Sequence, residues 1–380
     1  MQRTVFNEDH ESFRQTVSDF IAKEVTPVYH EWETDGHPPR KFYNRLGDLG
    51  ILGIQAPEEY GGGGESSLKF NVVVTEETAA AGVTFGSYSV HSNLILPYIM
   101  QHATEEQKQR WLPRLQSGES IGCFGLTEPG FGSNPAGMLT TARQDGADWI
   151  LNGEKTWITN GSAADLALVW ARTDIGIQGF LVERGTSGFE ATDIHGKLSM
   201  RASITSSLSF TDCRVPQGSL LPKANGLKAA LSCLTQARYG IGWGTIGAAM
   251  DCYETARHYS TIRKQFDDRP IASHQLVQEK LATMITEITK AQLLAIHAGR
   301  LKDQGRLEPA HVSMLKRNNV AMALECARLS RDLLGANGIV DEYPIMRHMC
   351  NLETVKTYEG TDHVHALVIG ERVTGVAAYR

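Results

Sequence analysis

A mainly helical fold with a β domain at its centre is what this 380-residue sequence predicts. Apolar residues recur at three- and four-residue spacing through roughly the first third of the chain. Short apolar stretches then alternate with turn residues from about 121 to 221, and helical spacing returns from about 227 to the end. That pattern divides the chain into residues 1–119, all helical, 120–225, β, and 226–380, helical.

In the first unit Phe13, Val17, Phe20 and Ile21 mark one helical face, followed by Phe42, Leu46 and Leu49, and by Val72, Val73 and Val74 leading into an Ala-rich tract. Gly61, Gly62, Gly63 and Gly64 interrupt it, since four successive glycines cannot hold a helix, and a flexible connector is expected there. In the middle unit Trp149-Ile150-Leu151, Leu166-Ala167-Leu168-Val169-Trp170 and Leu208-Ser209-Phe210 read as strands between Gly, Asn and Asp turns. Pro216-Gln217-Gly218 and Gly226 lead into the last unit, whose helices break near 266–270 and 335–343.

With 41% hydrophobic and 21% charged residues the chain suits a soluble globular protein with well-buried cores. Its net charge of -6 and scattered basic residues leave no footprint for nucleic acid. No apolar run approaches the ~20 residues that span a bilayer. The N-terminal residues carry neither a signal-peptide core nor an Arg/Ser-rich, acid-poor leader, so a cytoplasmic protein is expected. Cys123, Cys213, Cys233, Cys252, Cys326 and Cys350 are dispersed, without a Cys-x-x-Cys pair; they read as reduced structural thiols, and no metal site is expected.

Three segments carry chemistry. Lys356-Thr357-Tyr358-Glu359-Gly360-Thr361 sets a lone carboxylate among apolar residues, where desolvation raises its pKa toward that of a working base. Gly125-Leu126-Thr127-Glu128-Pro129-Gly130-Phe131-Gly132-Ser133 and Lys155-Thr156-Trp157-Ile158-Thr159-Asn160-Gly161 lie more than two hundred and nearly two hundred residues upstream. Together the three resemble the acyl-CoA dehydrogenases, flavoenzymes that oxidise the α,β bond of acyl thioesters, and the resemblance covers nearly the whole chain. It implies a helical N-terminal domain, a β-barrel-like middle domain and a C-terminal four-helix bundle.

The resemblance also implies site residues. Leu126 and Thr127 fall where the family binds the pyrimidine side of FAD, and Gly132 and Ser133 where it meets phosphate and acyl-CoA; Asn134 replaces the family's Asp. Trp157, Ile158 and Thr159 match the strand along the flavin, the Thr hydroxyl near its reactive N5. Arg263-Lys264-Gln265-Phe266 resembles the Arg-x-x-Phe-Gly whose Arg reaches a neighbouring subunit's FAD, with Asp267 in place of the Gly. Leu334, Gly335 and Gly338 match a second interface segment near the adenine, and Thr361 and His363 further flavin contacts. A site built from two chains implies a homo-oligomer, a tetramer ahead of a dimer.

By the same resemblance Glu359 removes the α-proton while flavin N5 accepts the β-hydride, the Glu359 N–H holding the thioester carbonyl. Relatives that carry the base on a C-terminal helix place it where this chain has Ala237, so Glu359 has no rival; Arg238, Tyr358 and Gly360 complete the substrate side. Electrons are expected to pass to an electron-transfer flavoprotein. An acyl-CoA oxidase or oxygenase, and a non-catalytic flavin- or CoA-binding relative, stay open as alternatives.

Residues 197–203, 237–243, 315–319 and 357–367 look specifically like glutaryl-CoA dehydrogenase, which needs a cation for its distal carboxylate. Phe85 stands in the place of that Arg, and no Lys or Arg occurs between Lys69 and Lys108. The expected substrate is therefore an uncharged short or medium acyl-CoA, or one with a modest polar group met by Ser87, Tyr88 or His91, the decarboxylating glutaryl-CoA reaction remaining the alternative.

Overall fold

A computed structural model describes residues 5–85 and 88–378. Among the described residues seven α-helices lead: α1 Glu8–Phe20, α2 Tyr29–Asp35, α3 Arg40–Asp48, α4 Lys69–Ala80, α5 Tyr88–Val90, α6 Leu96–His102 and α7 Glu105–Gln116. Local chemistry starts them where it can. Asn7 accepts from the His10 amide ahead of α1, and Thr104 and Gln107 form a reciprocal capping box ahead of α7. The aliphatic and aromatic residues of the sequence pattern, among them Val17, Phe20, Ile21, Phe42, Leu46 and Val74, close into one core.

Residues 61–64 are not a flexible connector. Successive amides of Gly62, Gly63 and Gly64 donate to the carbonyls of Pro57, Gly53 and Ala56, and Gln116 donates to the carbonyl of Tyr60. A Cβ on Gly62 would overlap the Ala56 carbonyl, so glycine is there for close approach.

The middle of the chain folds into strands β1 Gly122–Gly125, β2 Thr141–Asp145, β3 Asp148–Thr159, β4 Leu166–Thr173, β5 Gly176–Glu183, β6 Phe189–Asp193, β7 Thr205–Pro216 and β8 Leu220–Asn225. They form one sheet in the order β6-β7-β3-β2-β4-β5-β8, with β1 alongside β4 in parallel. The β3–β7 register slips between Lys155 and Ile158, and the bulge turns Trp157 outward.

Six helices follow: α8 Gly226–Ser232, α9 Leu234–Ile262, α10 Gln275–Asp303, α11 Pro309–Leu334, α12 Ile345–Thr357 and α13 Asp362–Thr374. The expected breaks are present, the first as a small hairpin of β9 Lys264–Gln265 and β10 Arg269–Pro270. One further break, between α10 and α11, was not foreseen: its Gly305 takes a left-handed φ of 67°, ahead of Pro309 at the start of α11. Faces of α9, α10, α11 and α12 enclose a common core that includes Trp243, Ile288, Leu315 and Leu352. A separate core of Tyr98, Trp111, Leu126, Trp170, Ala230 and Ala237 joins the first helices, the sheet and the start of α9. No helix among the described residues is long and apolar enough to cross a membrane, and all six thiols are free.

Candidate active site

Glu359 occupies the short turn between α12 and α13, with a left-handed φ of 51° that a non-glycine residue rarely adopts. Thr361 ends the turn as the N-cap of α13, its hydroxyl accepting from the Val364 amide. Three successive carbonyls of this turn are held from outside it. Lys316 on α11 donates to the oxygens of Tyr358 and Gly360, the latter at 2.7 Å, and Arg238 on α9 donates from Nε to the oxygen of Glu359 at 2.7 Å. The Glu359 carboxylate is left over: Oε2 is sealed from solvent and has no hydrogen-bond partner.

Burial raises the Glu359 pKa above the usual carboxylate value, and the positive charges of Arg238 and Lys316 oppose that rise without cancelling it. Burial works the other way on Lys316 and Arg238, lowering both. His365 lies beneath the turn with Nδ1 against Ser313 Oγ at 3.0 Å; burial holds it neutral, its pKa down to about 4. Gly360, at φ 93°, has no room for a side chain, because a Cβ would come within 3.0 Å of His365 Nε2. Tyr98 is fully buried nearby, its hydroxyl donating to Ala230 and its ring stacked on Phe124 at 5.1 Å.

A second cluster positions the β segments. Lys155 and Glu128 meet at 2.8 Å with 0% and 4% side-chain exposure. Burial disfavours an ionised Glu128, but the amides of Leu139 and Thr140 and the Lys155 ammonium outweigh it and hold its pKa below the ordinary value. Lys155 also donates to the Leu126 carbonyl, and the Thr156 amide to that of Thr127. The Leu126-Thr127 segment is thus tied to the strand that carries Trp157, whose indole is 60% exposed at φ 59°.

The structure sorts the remaining expected site residues. Gly132, Ser133 and His363 are exposed, Thr127 and Thr159 are half-buried, and the Ile158 side chain is in the sheet core, so Ile158 offers a ligand only its backbone. Arg263 and Phe266 lie in the exposed segment after α9. Twenty-five residues of sequence separate Arg238 from Arg263, roughly 37 Å along a helix. Leu334 is buried, Gly338 packs on the Arg331 backbone, and Asn337 donates to Tyr259, which places this turn at the same far end. Phe85 is enclosed by Phe20, Phe42 and Tyr88. His91 uses both nitrogens, on the Leu115 carbonyl and the Gly122 amide, and burial lowers its pKa to about 4; a protonated His91 is excluded as a substitute cation. Tyr88 keeps a buried hydroxyl without a partner, and Ser87 lies outside the described residues. Sequence reasoning gave Lys316 no role, although its place between Val312 and Val320 on the buried stripe of α11 was a signal.

Three family models match in tandem: acyl-CoA dehydrogenase N-terminal domain over residues 7–119, middle domain over 123–213 and C-terminal domain over 224–374. The chain belongs to the acyl-CoA dehydrogenase family. Acyl-CoA dehydrogenases are oxidoreductases acting on acyl-CoA, and the family is FAD-dependent. Human mitochondrial short-chain specific acyl-CoA dehydrogenase is 35% identical over 95% of this chain and 89% of its own. Glutaryl-CoA dehydrogenase from Mycobacterium smegmatis superposes with a TM-score of 0.95 at 48% identity, covering 99% of this acyl-CoA dehydrogenase and 97% of its own chain. A structure of a glutaryl-CoA dehydrogenase from that organism in complex with FADH2 gives 0.95 at 47%, with the same coverage.

Proposed function

We propose that this acyl-CoA dehydrogenase removes the α-proton and β-hydride of an uncharged short or medium acyl-CoA, with Glu359 as the base and FAD as the cofactor. The unpartnered, desolvated Oε2 of Glu359 carries this reading, because a base must have a free lone pair and a raised proton affinity. The residues present fit a flavin: the uncovered Trp157 indole gives a ring surface, and the clamped Leu126-Thr127 segment stands beside it. When bound, FAD supplies the acceptor for the β-hydride.

The chain's own groups do the rest. Gly132 and Ser133 are exposed for contact with the CoA thioester and phosphates. The Glu359 N–H donates to the thioester carbonyl, which stabilises the negative charge that develops there as the α-C–H bond breaks. The proton passes to Oε2. Tyr98 and Phe124 exclude water from the neighbourhood of the turn.

Arg263 and Phe266 lie at the opposite end of α9 from Arg238, which supports their serving a neighbouring copy's FAD in a homotetramer. An electron-transfer flavoprotein takes the electrons, in the cytoplasm. The likeness to glutaryl-CoA dehydrogenase favours a decarboxylating alternative. Against it stand the aromatic enclosure of Phe85 and the fully engaged His91, which leave no cation there for a distal carboxylate.

Anaerobic mixing of the purified protein with a panel of acyl-CoAs, glutaryl-CoA included, decides between them. Bleaching of the oxidised flavin by a neutral acyl-CoA and not by glutaryl-CoA is expected. Bleaching by glutaryl-CoA overturns the substrate assignment, and bleaching by none overturns the activity.

A further inference from the structure

Lys316 is a buried cation on α11, 1% exposed, with no carboxylate within ion-pair distance among the described residues. Burying an ammonium without an acidic partner is expensive, and a fold retains one where its charge or its reach is needed. Its two hydrogen bonds go to the carbonyls on either side of Glu359 and to nothing else. Arg238 takes the carbonyl between them. All three oxygens of the turn are therefore drawn to cations on the bundle helices, and Glu359, at the centre of the grip, is the non-glycine residue among them with left-handed backbone.

We propose that Lys316 is the positioning residue of the active site, locking Glu359 in its left-handed conformation and supplying the positive charge that lets the enclosed carboxylate lose its proton. This rests on the reading of Glu359 as the base. Lys316 touches no reacting atom; it acts through Glu359.

The direction of the effect follows from the groups that face Glu359. Arg238 from α9 and Lys316 from α11 favour its ionised form, while burial disfavours it. His365 on α13 is neutral, Tyr98 on α6 is neutral with its pKa pushed up by burial, and Asp362 on α13 lies beside Arg317 at 3.3 Å. Burial lowers the Lys316 pKa to about 7, so its charge is fully present only below that value, and there removing Lys316 takes away one of two opposing positive charges. The Glu359 proton is then held more tightly, and the pH limb on which the base becomes active moves upward.

The test uses the holoenzyme and a short acyl-CoA whose β-methylene is replaced by sulfur. Such a thioester can lose an α-proton and has no β-hydride to give, so deuterium uptake from D2O at its α-carbon, read by mass spectrometry, reports the base alone. Across a pH series, Lys316→Met is expected to lower the exchange rate about 100-fold near neutrality, within the usual range for a disabled general base. Its acidic limb is expected to shift to higher pH, while the probe's affinity, followed through the flavin absorbance, changes far less. Lys316→Arg, which keeps both donors and charge, is expected to restore the limb. Should the Met variant fail to fold, Lys316→Gln against Lys316→Arg decides, since both keep a donor and only one keeps the charge.

Wild-type rate and limb in a folded Lys316→Met, or in Lys316→Gln, overturn the proposal. Glu359→Gln separates this failure from that of the underlying reading. If it exchanges at the wild-type rate, the base is another group; if it is silent while the Lys316 variants match wild type, only the Lys316 assignment falls.

Discussion

Arg238 donates from Nε to the main-chain oxygen of Glu359 at 2.7 Å, so this cation grips the backbone of the residue and leaves Oε2 unpaired. The arrangement separates two tasks. Geometry is imposed through carbonyls, while the acidic oxygen stays free for a substrate proton.

Arg238→Met removes that donor and leaves the Glu359 carbonyl unsatisfied. A loss of about 1–3 kcal/mol in stability is expected, measured by denaturant unfolding. Turnover is expected to fall further than stability implies, because the released turn relaxes away from its left-handed conformation. Anaerobic single-turnover bleaching of the flavin, recorded where the variant is fully folded, checks this.

Glu359→Gly is expected to be inactive yet no less stable than wild type. A left-handed L-residue costs roughly 1–2 kcal/mol, which glycine does not incur. Removing a desolvated carboxylate without a partner for Oε2 acts in the same direction. Thermal unfolding of the two proteins side by side reads the difference, and a variant that melts well below wild type would remove the claim that the turn is strained.

The raised Glu359 pKa also links pH to stability. The folded state holds this proton more tightly than the unfolded state, whose carboxyl titrates near 4.5. This group's contribution is therefore full below that value and is lost as pH rises through the folded pKa. Relative to Glu359→Gln, wild type is expected to lose stability over that window and to show a constant difference above it. Urea unfolding midpoints at a series of pH values give the comparison, and parallel curves would contradict the shift.

Some of this was legible in the residues and some was not. The helix, β, helix order follows from apolar spacing, and Glu359 stood out because a lone carboxylate sat among apolar neighbours in a short turn. Lys316 did not: a lysine in a helix is ordinarily solvated, and only the packing of α11 against the 358–360 turn shows its ammonium on two carbonyls. Residues 61–64 misled for a related reason, because glycine permits both a loose loop and the tightest backbone approach, and the Ala56 carbonyl decides between them. Ile158 matched the flavin strand by position, but the bulge at residues 155–158 sends its side chain into the sheet core and the Trp157 ring outward. A register slip of that kind depends on the partner strand.

The buried pair of the sheet predicts a loss of cofactor without any contact to it. Lys155→Met deletes a cation that holds both Glu128 and the Leu126 carbonyl, leaving the carboxylate to the amides of Leu139 and Thr140. Breaking one side of such a pair costs about 3–5 kcal/mol. The purified variant is expected to carry substoichiometric flavin, read from the ratio of visible to ultraviolet absorbance, because the 126–127 segment then keeps only the Thr156 amide bond to the strand of Trp157.

Phe85→Arg places a cation where the chain has an aromatic ring, and its cost tests the substrate assignment. The site is walled by the rings of Phe20, Phe42 and Tyr88. An unpaired guanidinium there is expected to destabilise the protein by about 3–5 kcal/mol. A ligand that binds only the folded state and pairs the charge recovers part of that loss, by an amount that grows with its concentration over Kd. Thermal unfolding in the presence of glutaryl-CoA or a neutral acyl-CoA of equal length therefore separates two situations. If the acyl chain ends beside residue 85, glutaryl-CoA raises the melting temperature of Phe85→Arg more than the neutral thioester does, and wild type shows the opposite order. If both proteins respond alike to the two thioesters, residue 85 does not face the acyl chain, and the neutral substrate must be explained by another part of the pocket.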